Sequence, residues 1–330
     1  MRLERHWQRI TPVSAALYVP SLLYRAIVAA RRGAYSAALL KTERLPVPVV
    51  IVGNITVGGT GKTPLVLWLV MLLTQHGMRP AIVSRGYASD LASPRPVSGT
   101  SDPAHFGDEP VLLAQRSGCP VWVGVDRVAT GRALLAAHSD CNVIVADDGL
   151  QHYRLARDVE LAVVDGARGL GNGLMLPAGP LREPAARLRE VDAVVVNGTT
   201  REVPEARVVM AMQLEGRTFH NVLNPQYVVG PDYFQRQRVH AVAGIGHPPR
   251  FFAHLHQLGI EFEARAFPDH HAYTANDLAY AGADAVVMTE KDAVKCAAFA
   301  RETHWALRVD AVPDPELGEL VLRKLETHSR

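Results

Sequence analysis

Residues 49–63 read VVIVGNITVGGTGKT, and the fold is decided by how this stretch is built. Val49–Val52 is a short β-branched run of the kind found in strands buried on both faces of a parallel sheet. Gly58, Gly59 and Gly61 follow, then Lys62 and Thr63, then an apolar run from Pro64 to Leu73 that suits a helix. Strand, glycine-rich turn, Lys-Thr and helix is the order of a phosphate-binding loop. Glycine lets backbone N–H groups turn inward around phosphate oxygens with no Cβ in the way. The start of the next helix adds partial positive charge. Lys62 then suits the β- and γ-phosphates of a nucleotide, and the Thr63 hydroxyl suits Mg²⁺. One position departs from G-x-x-x-x-G-K-[ST]: Thr56 stands where the first glycine is expected. The expected nucleotide-binding segment is therefore Thr56, Val57, Gly58, Gly59, Thr60, Gly61, Lys62 and Thr63.

Outward from this loop, strands and helices alternate. Strands are expected at Ala81–Ser84, Val121–Val123, Val143–Asp147, Leu161–Asp165 and Ala193–Asn197, with helices toward Arg116 and over Arg127–Ala137. Ala88–Gly107 is polar and rich in Pro and Ser, and GARGLGNGLMLPAGPLRE is rich in Gly and Pro; both are loops by composition. From about Thr199 the texture changes to two short strands, Val208–Leu214 and Gln226–Gly230, which suit a linking ribbon. A second alternating unit begins at Val239–Ala243. It continues through a helix near Phe251–Leu258, a strand at Phe262–Ala266, a helix at Thr274–Ala281, a strand at Ala285–Thr289, a helix at Lys291–Phe299 and a strand at Trp305–Val309. A last helix is expected over Pro315–Leu325. The fold class is α/β: a phosphate-loop NTPase domain with a mainly parallel sheet, plus a smaller C-terminal α/β domain joined to it by a β-ribbon. The boundaries read as 1–44 for an N-terminal helical segment, 45–198 for the phosphate-loop core, 199–238 for the ribbon and 239–330 for the second domain.

Composition excludes some classes. At 330 residues, 48% hydrophobic and 21% charged, the chain is an ordinary globular one. A net charge of +2 leaves no surplus of cations for nucleic acid. The three cysteines, Cys119, Cys141 and Cys296, lie far apart without metal-like spacing, which suits buried thiols in a reducing compartment. No secretory signal peptide is evident. Charge is concentrated at the start: residues 1–44 hold eight Lys/Arg against two Glu, a local balance of +6. Ile10–Ala30 is the most apolar part of that segment and just long enough to span a bilayer. Pro20, the many alanines and the basic flanks argue instead for a helix lying on an anionic membrane face, with Arg31 and Arg32 near the headgroups. Packing on its own domain is the other reading.

Several acids and histidines suit chemistry. Asp147 ends an apolar strand, where phosphate-loop enzymes place the acid that holds Mg²⁺. Asp148 beside it fits either a cation site or an Asp-Gly turn. Asp108 and Glu109 open a helix and, read alone, are acids stabilising its start. A hydroxyl acceptor would need one such carboxylate near the γ-phosphate as a base, and Glu109 joins Thr63 and Asp147 as a candidate for holding metal. Asp269-His270-His271 lies in a loop of the second unit and suits a metal site or support for a carboxylate base across a cleft.

Together GGTGKT, GDEP, DDGLQH, GNGLMLPAGPLRE, FPDHH and TEKDAVK closely resemble the tetraacyldisaccharide 4'-kinase family of lipid A biosynthesis, over nearly the whole chain. The family generally lacks the glycine that Thr56 replaces. The resemblance implies an enzyme on the cytoplasmic face of the inner membrane, peripheral or with one N-terminal membrane helix. It would use ATP and Mg²⁺ to phosphorylate the 4'-hydroxyl of a lipid disaccharide 1-phosphate, giving lipid IVA. It further implies Lys62 and Thr63 on phosphates and Mg²⁺, Asp108 as base, and one histidine of His270 and His271 as its assistant, which of the two being open. Asp147, Asp148, Gln151, His152 and Arg182 fall in the family's active-site motifs, and Arg127 aligns with an active-site arginine. The expected partners are the lipid substrate and an anionic inner-membrane surface, with no nucleic acid, and a monomer is expected. Two other classes share the loop: a nucleotide-switch ATPase, which needs no acceptor base or second domain, and a cytosolic ligase or small-molecule kinase, which would lack Ile10–Ala30.

Overall fold

The computed structural model describes residues 3–86, 93–200 and 205–328. The chain opens with α1 (Pro12–Ala16) and α2 (Tyr18–Ser36). Pro20 falls in the first turn of α2, where its missing N–H is not needed, so it does not break the helix. The phosphate-loop stretch supplies β1 (Val49–Gly53) and α3 (Lys62–Gln75). Next come β2 (Pro80–Ser84), β3 (Arg95–Val97), α4 (Pro103–Phe106), α5 (Asp108–Ser117), β4 (Val121–Val123), α6 (Arg127–Ala137), β5 (Val143–Asp147), β6 (Val159–Asp165) and β7 (Ala193–Asn197). The second half holds β8 (Val209–Asn221), β9 (Val228–Val229), β10 (Val239–Ala243), α7 (Pro248–Gln257), β11 (Glu263–Ala266), β12 (Ala285–Thr289), α8 (Glu290–Cys296), β13 (His304–Pro313) and α9 (Pro315–His328).

β1 lies inside the sheet between β5 and β6, parallel to both. Its residues alternate between two cores: Val50 and Val52 face α3, while Val49 and Ile51 face the side of α6. Burial on both faces is why the run is β-branched throughout rather than alternating with polar residues. The register pairs Val52 with Asp147, so the acid stands at the strand end beside the phosphate loop. Ligand sites of open α/β sheets lie outside these carboxyl ends.

The strands described form one sheet in the order β11-β10-β12-β13-β8-β7-β6-β1-β5-β2-β4-β3. The two units are welded by β8 and β13. The first part of β8 runs parallel to β7, and the rest runs antiparallel to β13, which in turn is parallel to β12. Here the sequence reading needs correction. The ribbon strand does not stop at Leu214 but runs 13 residues to Asn221, and its main partner is β13, not Gln226–Gly230, of which only Val228–Val229 is strand. Gly216 and the outward Gln213, Glu215 and Arg217 hide the strand from a reading by apolar runs. Gly216 is demanded by packing, since a Cβ there would lie 2.7 Å from the Arg308 carbonyl. Thr274–Ala281 is likewise not an α-helix; only a short 3₁₀ turn forms at Ala275–Leu278. Of the loop expected over Ala88–Gly107, residues 88–92 lie outside the described residues, and the remainder contains β3 and α4. Although α9 follows the second unit in the chain, Leu317, Leu320, Val321 and Leu325 pack into the first unit's core with Leu65, Leu69 and Leu161.

The amino-terminal segment docks on one side and leaves the other bare. Trp7 Nε1 donates to the Pro177 carbonyl at 3.1 Å, Ser21 Oγ to Met175 at 2.8 Å, and the Tyr24 hydroxyl to Arg182 at 3.1 Å. Val19, Leu22, Leu23 and Ile27, spaced along one side of α2, remain exposed. Among the described residues no helix is long and apolar enough to cross a membrane.

Candidate active site

Between the two units lies a cleft of about 1020 Å³. The whole phosphate loop from Thr56 to Thr63 lines it, and so do Asp108, Glu109, Asp147, Asp148, Arg182 and His270. Gly58 and Gly61 adopt φ of +95° and +96°, where L side chains are strained, and a Cβ on Gly61 would also strike Asn197 Nδ2 at 2.5 Å. Asn54, just before the loop, ties it together: its amide donates to the Thr56 carbonyl at 2.7 Å, and its Oδ1 accepts from Lys62 Nζ at 3.2 Å.

The paired acids divide by environment. Asp148 has φ +50° and turns toward cations, with Arg182 donating to both its oxygens at 3.0 and 2.8 Å and Lys62 Nζ 3.5 Å away. Burial opposes its charge, but Lys62 and Arg182 outweigh that and hold its carboxyl well below the usual range. Asp147 is buried. Its Oδ2 accepts from Ser84 Oγ at 3.1 Å, and its Oδ1 has no hydrogen-bond partner. Burial, then repulsion from Glu109, raises its pKa to about 6. A buried carboxylate oxygen left without a donor calls for a cation.

Asp108 begins α5 after Gly107 and is buried. Its Oδ2 lies 3.4 Å from His270 Nδ1, which reaches it from the second unit. Burial pushes the Asp108 pKa up, but the His270 hydrogen bond and the charges of Lys291 and Lys295 prevail and set it at about 2. In return Asp108 raises the pKa of His270 above the ordinary imidazole value. The neighbouring histidine goes elsewhere. His271 stacks on Phe267 with ring centroids 4.6 Å apart and points Nε2 at Asp277, 3.4 Å away. A φ of +56° at His270 helps the two adjacent rings diverge.

Three expected nucleotide-binding residues do not line the cleft. Arg127 is buried behind it, donating to the Gly124 carbonyl at 2.9 Å and toward the Asp147 carbonyl at 3.4 Å. His152 accepts from the Arg127 backbone N–H at 3.3 Å, and burial, with Arg127 nearby, lowers its pKa to about 4. Gln151 donates to the Asn54 carbonyl at 3.0 Å. All three brace the strand ends and the loop from outside. Conversely, Lys291 was not singled out from TEKDAVK. It opens α8, pairs with Glu109 across the cleft, and is charged because Glu109 and Asp108 outweigh its burial. Nearby Arg116 of α5 grips Glu290 at 3.1 and 2.9 Å. Among the described residues no group of three or more His, Cys, Asp or Glu forms a ready metal cage.

A sequence model of the family described as tetraacyldisaccharide-1-P 4'-kinase (LpxK) matches residues 13–326. A tetraacyldisaccharide 4'-kinase of Methylobacillus flagellatus is 50% identical over 98% of this chain and 95% of its own length. That of Nitrosococcus oceani is 47% identical over 98% and 94%. Among solved structures, LpxK from Aquifex aeolicus in complex with ATP superposes with a TM-score of 0.82 at 31% identity, covering 95% of this chain and 99% of that one. The chain belongs to the tetraacyldisaccharide-1-P 4'-kinase family.

Proposed function

We propose that the cleft binds ATP with Mg²⁺ and transfers the γ-phosphoryl group to the 4'-hydroxyl of a tetraacyldisaccharide 1-phosphate. The observation that carries this reading is the meeting, across one cleft, of a phosphate loop with Lys62 and an acid–histidine pair, Asp108 and His270, fit to take a hydroxyl proton. A nucleotide switch would need only the first. Lys62 and the loop N–H groups hold the phosphates, while Arg182 keeps Asp148 turned to Lys62. Thr63, Asp147 and Glu109 are the residues that would hold the metal, and the unpartnered Asp147 oxygen fits that role. When bound, the ion would neutralise charge developing on the phosphate oxygens. Asp108 accepts the hydroxyl proton as the new P–O bond forms, and His270 holds its carboxylate in place and shares the proton. Closure of the two units over bound substrates would exclude water, which otherwise competes as acceptor. We take the kinase core as residues 45–198 with α9 packed on it, and the remainder of 239–314 as the second lobe.

Transfer of ³²P from γ-labelled ATP to the lipid in detergent micelles tests this. Labelled lipid, with ATP consumption dependent on the lipid, is expected. Release of inorganic phosphate at the same rate without lipid would favour the switch ATPase instead.

We also place α2 on the cytoplasmic face of an anionic membrane, with Val19, Leu23 and Ile27 toward the acyl region and Arg31 near the headgroups. Arg32, expected beside it, instead pairs with Glu190, and the exposed Arg25 takes its place. Replacing those three apolar residues by Ser or Gln is expected to lower partitioning onto anionic vesicles at least about tenfold, given the apolar area each would bury. Nucleotide affinity stays unchanged, because none of the three touches the cleft. Raised salt weakens wild-type partitioning in part. Equal partitioning of the triple variant and the wild type would remove the assignment.

A further inference from the structure

The phosphate loop is held from outside by side chains that the catalytic reading does not use. Two successive peptide units carry its tightest part. The Gly59 carbonyl accepts a hydrogen bond from the Arg168 guanidinium, and the Thr60 carbonyl accepts from Asn197 Nδ2 at 2.9 Å. A trans peptide points its C=O and the next N–H in opposite directions. Capturing these two carbonyls therefore turns the Thr60 and Gly61 N–H groups away from Arg168 and Asn197, which is the orientation an anion-binding loop requires.

What seats Arg168 is Asp165. The acid ends β6, directly opposite Asn197 at the end of β7, and is buried. Its Oδ1 accepts the backbone N–H groups of Ala167 and Arg168 at 3.0 and 3.2 Å, and its Oδ2 accepts Arg168 Nε at 3.2 Å. The same carboxylate reaches the second unit. Arg250 of α7 donates through Nη1 to Oδ2 at 3.1 Å and through Nη2 to Oδ1 at 3.3 Å. This is the fork-to-carboxylate geometry that makes arginine pairs directional. Backbone follows side chain here: a Cβ built on Gly246, just before α7, would lie 3.5 Å from the Gly59 nitrogen. On the other side, a Cβ on Gly58 would meet Arg168 Nη1 at 3.0 Å.

We infer that Asp165 is a positioning residue for the nucleotide: it seats Arg168 against the Gly59 carbonyl and takes Arg250 from across the cleft, so that the phosphate loop keeps its binding shape only while the second unit is docked. The inference rests on the reading of the loop as an ATP site. Arg250 lines the cleft, whereas Asp165 and Arg168 do not, so loss of Arg168 is expected to act on nucleotide affinity and to leave the chemical step nearly intact.

The test uses the full-length protein and equilibrium binding of ATP with Mg²⁺ in the absence of lipid, followed by steady-state kinetics. Arg168→Gln is expected to weaken ATP binding about tenfold, the scale of one charge-assisted hydrogen bond, with kcat at saturating ATP and KM for lipid within about threefold of wild type, too small a change for lost catalysis. Arg168→Lys recovers part of the affinity, because one donor can still reach the carbonyl. Arg250→Gln weakens ATP binding less. The double variant is no weaker than Arg168→Gln alone, since both act through one carboxylate. Both arginine side chains are partly exposed, at 24% and 37%, so both variants should fold with thermal midpoints near that of the wild type. An Arg168→Gln affinity within twofold of wild type, or losses that simply multiply in the double variant, would overturn the inference while leaving the ATP site in place. Failure of the wild type itself to bind ATP would overturn both.

Discussion

Lys62→Ala is expected to lower phosphoryl transfer by roughly 10²–10³-fold or more at saturating ATP and lipid, the scale of removing a preorganised charge from a transition state. The side chain is 11% exposed, and its Nζ is held between Asn54 Oδ1 and Asp148 Oδ1 at 3.2 and 3.5 Å. A largely buried, fixed ammonium acts on developing phosphate charge more strongly than one in water, and needs no reorganisation as the reaction proceeds. The loss is catalytic rather than structural. Asp148 keeps both bonds from Arg182, so no carboxylate is stranded and the thermal midpoint should change little. Lys62→Arg is not expected to rescue, because a planar fork does not replace a compact ammonium at this spot. Initial rates of ³²P transfer measure the effect. A loss of about threefold or less, too small for a charge clamp, would show that Lys62 is not the group that stabilises the transferring phosphate.

Asp108→Asn is expected to lower kcat by roughly 10²–10⁴ while changing ATP affinity far less. Asparagine keeps the ability to cap a helix start, so the substitution isolates proton transfer from any role in folding. The structure also sets the pH dependence. Asp108, with its pKa near 2, is ionised throughout the working range, and His270 titrates above the ordinary imidazole value. While His270 is protonated the pair has no net charge and Asp108 is a poor base. Once His270 loses its proton the pair carries a full negative charge and accepts the hydroxyl proton readily. So kcat/KM should rise with pH through the elevated His270 pKa and fall on the acid side of it. In His270→Ala that limb should move toward lower pH, and the Asp108→Asn/His270→Ala double variant should lose less than the product of the two single losses. A near-normal kcat for Asp108→Asn at every pH, with only stability reduced, would make Asp108 structural.

Much of the fold was legible because its strands are buried on both faces. β4, β5, β7, β10 and β12 are short apolar runs bounded by polar or turn residues, and their ends coincide with the sequence reading. β8 was truncated in that reading because one of its faces is exposed and Gly216 interrupts it; only the antiparallel partner, about ninety residues later, supports the full length. The phosphate loop and the acids at strand ends were legible because their chemistry is local. The groups that surround them were not. Lys291 reaches Glu109, and Asn197 and Arg168 reach the loop, across sequence separations of 182, 137 and 109 residues, which no local pattern encodes. His270 and His271 look alike in sequence, and only backbone direction separates a ring facing Asp108 from one stacked on Phe267. Arg127 and His152 belong to motifs near the site but meet one another and the backbone at the ends of β4 and β5 rather than the cleft itself.

The return of α9 to the first unit has a consequence for how the protein is made. Leu317, Leu320, Val321 and Leu325 fill the face of the first core beside α3, so that core is incomplete until α9 has been synthesised. The second lobe is thus an insertion whose entrance, β8, and exit, β13, are paired strands, and it can gather its own core first. A stop codon shortly before Pro315 would therefore damage the half of the molecule that was synthesised first. It would leave the apolar side of α3, including Leu72 and Trp68 against Gly318, open to water and to other nascent chains.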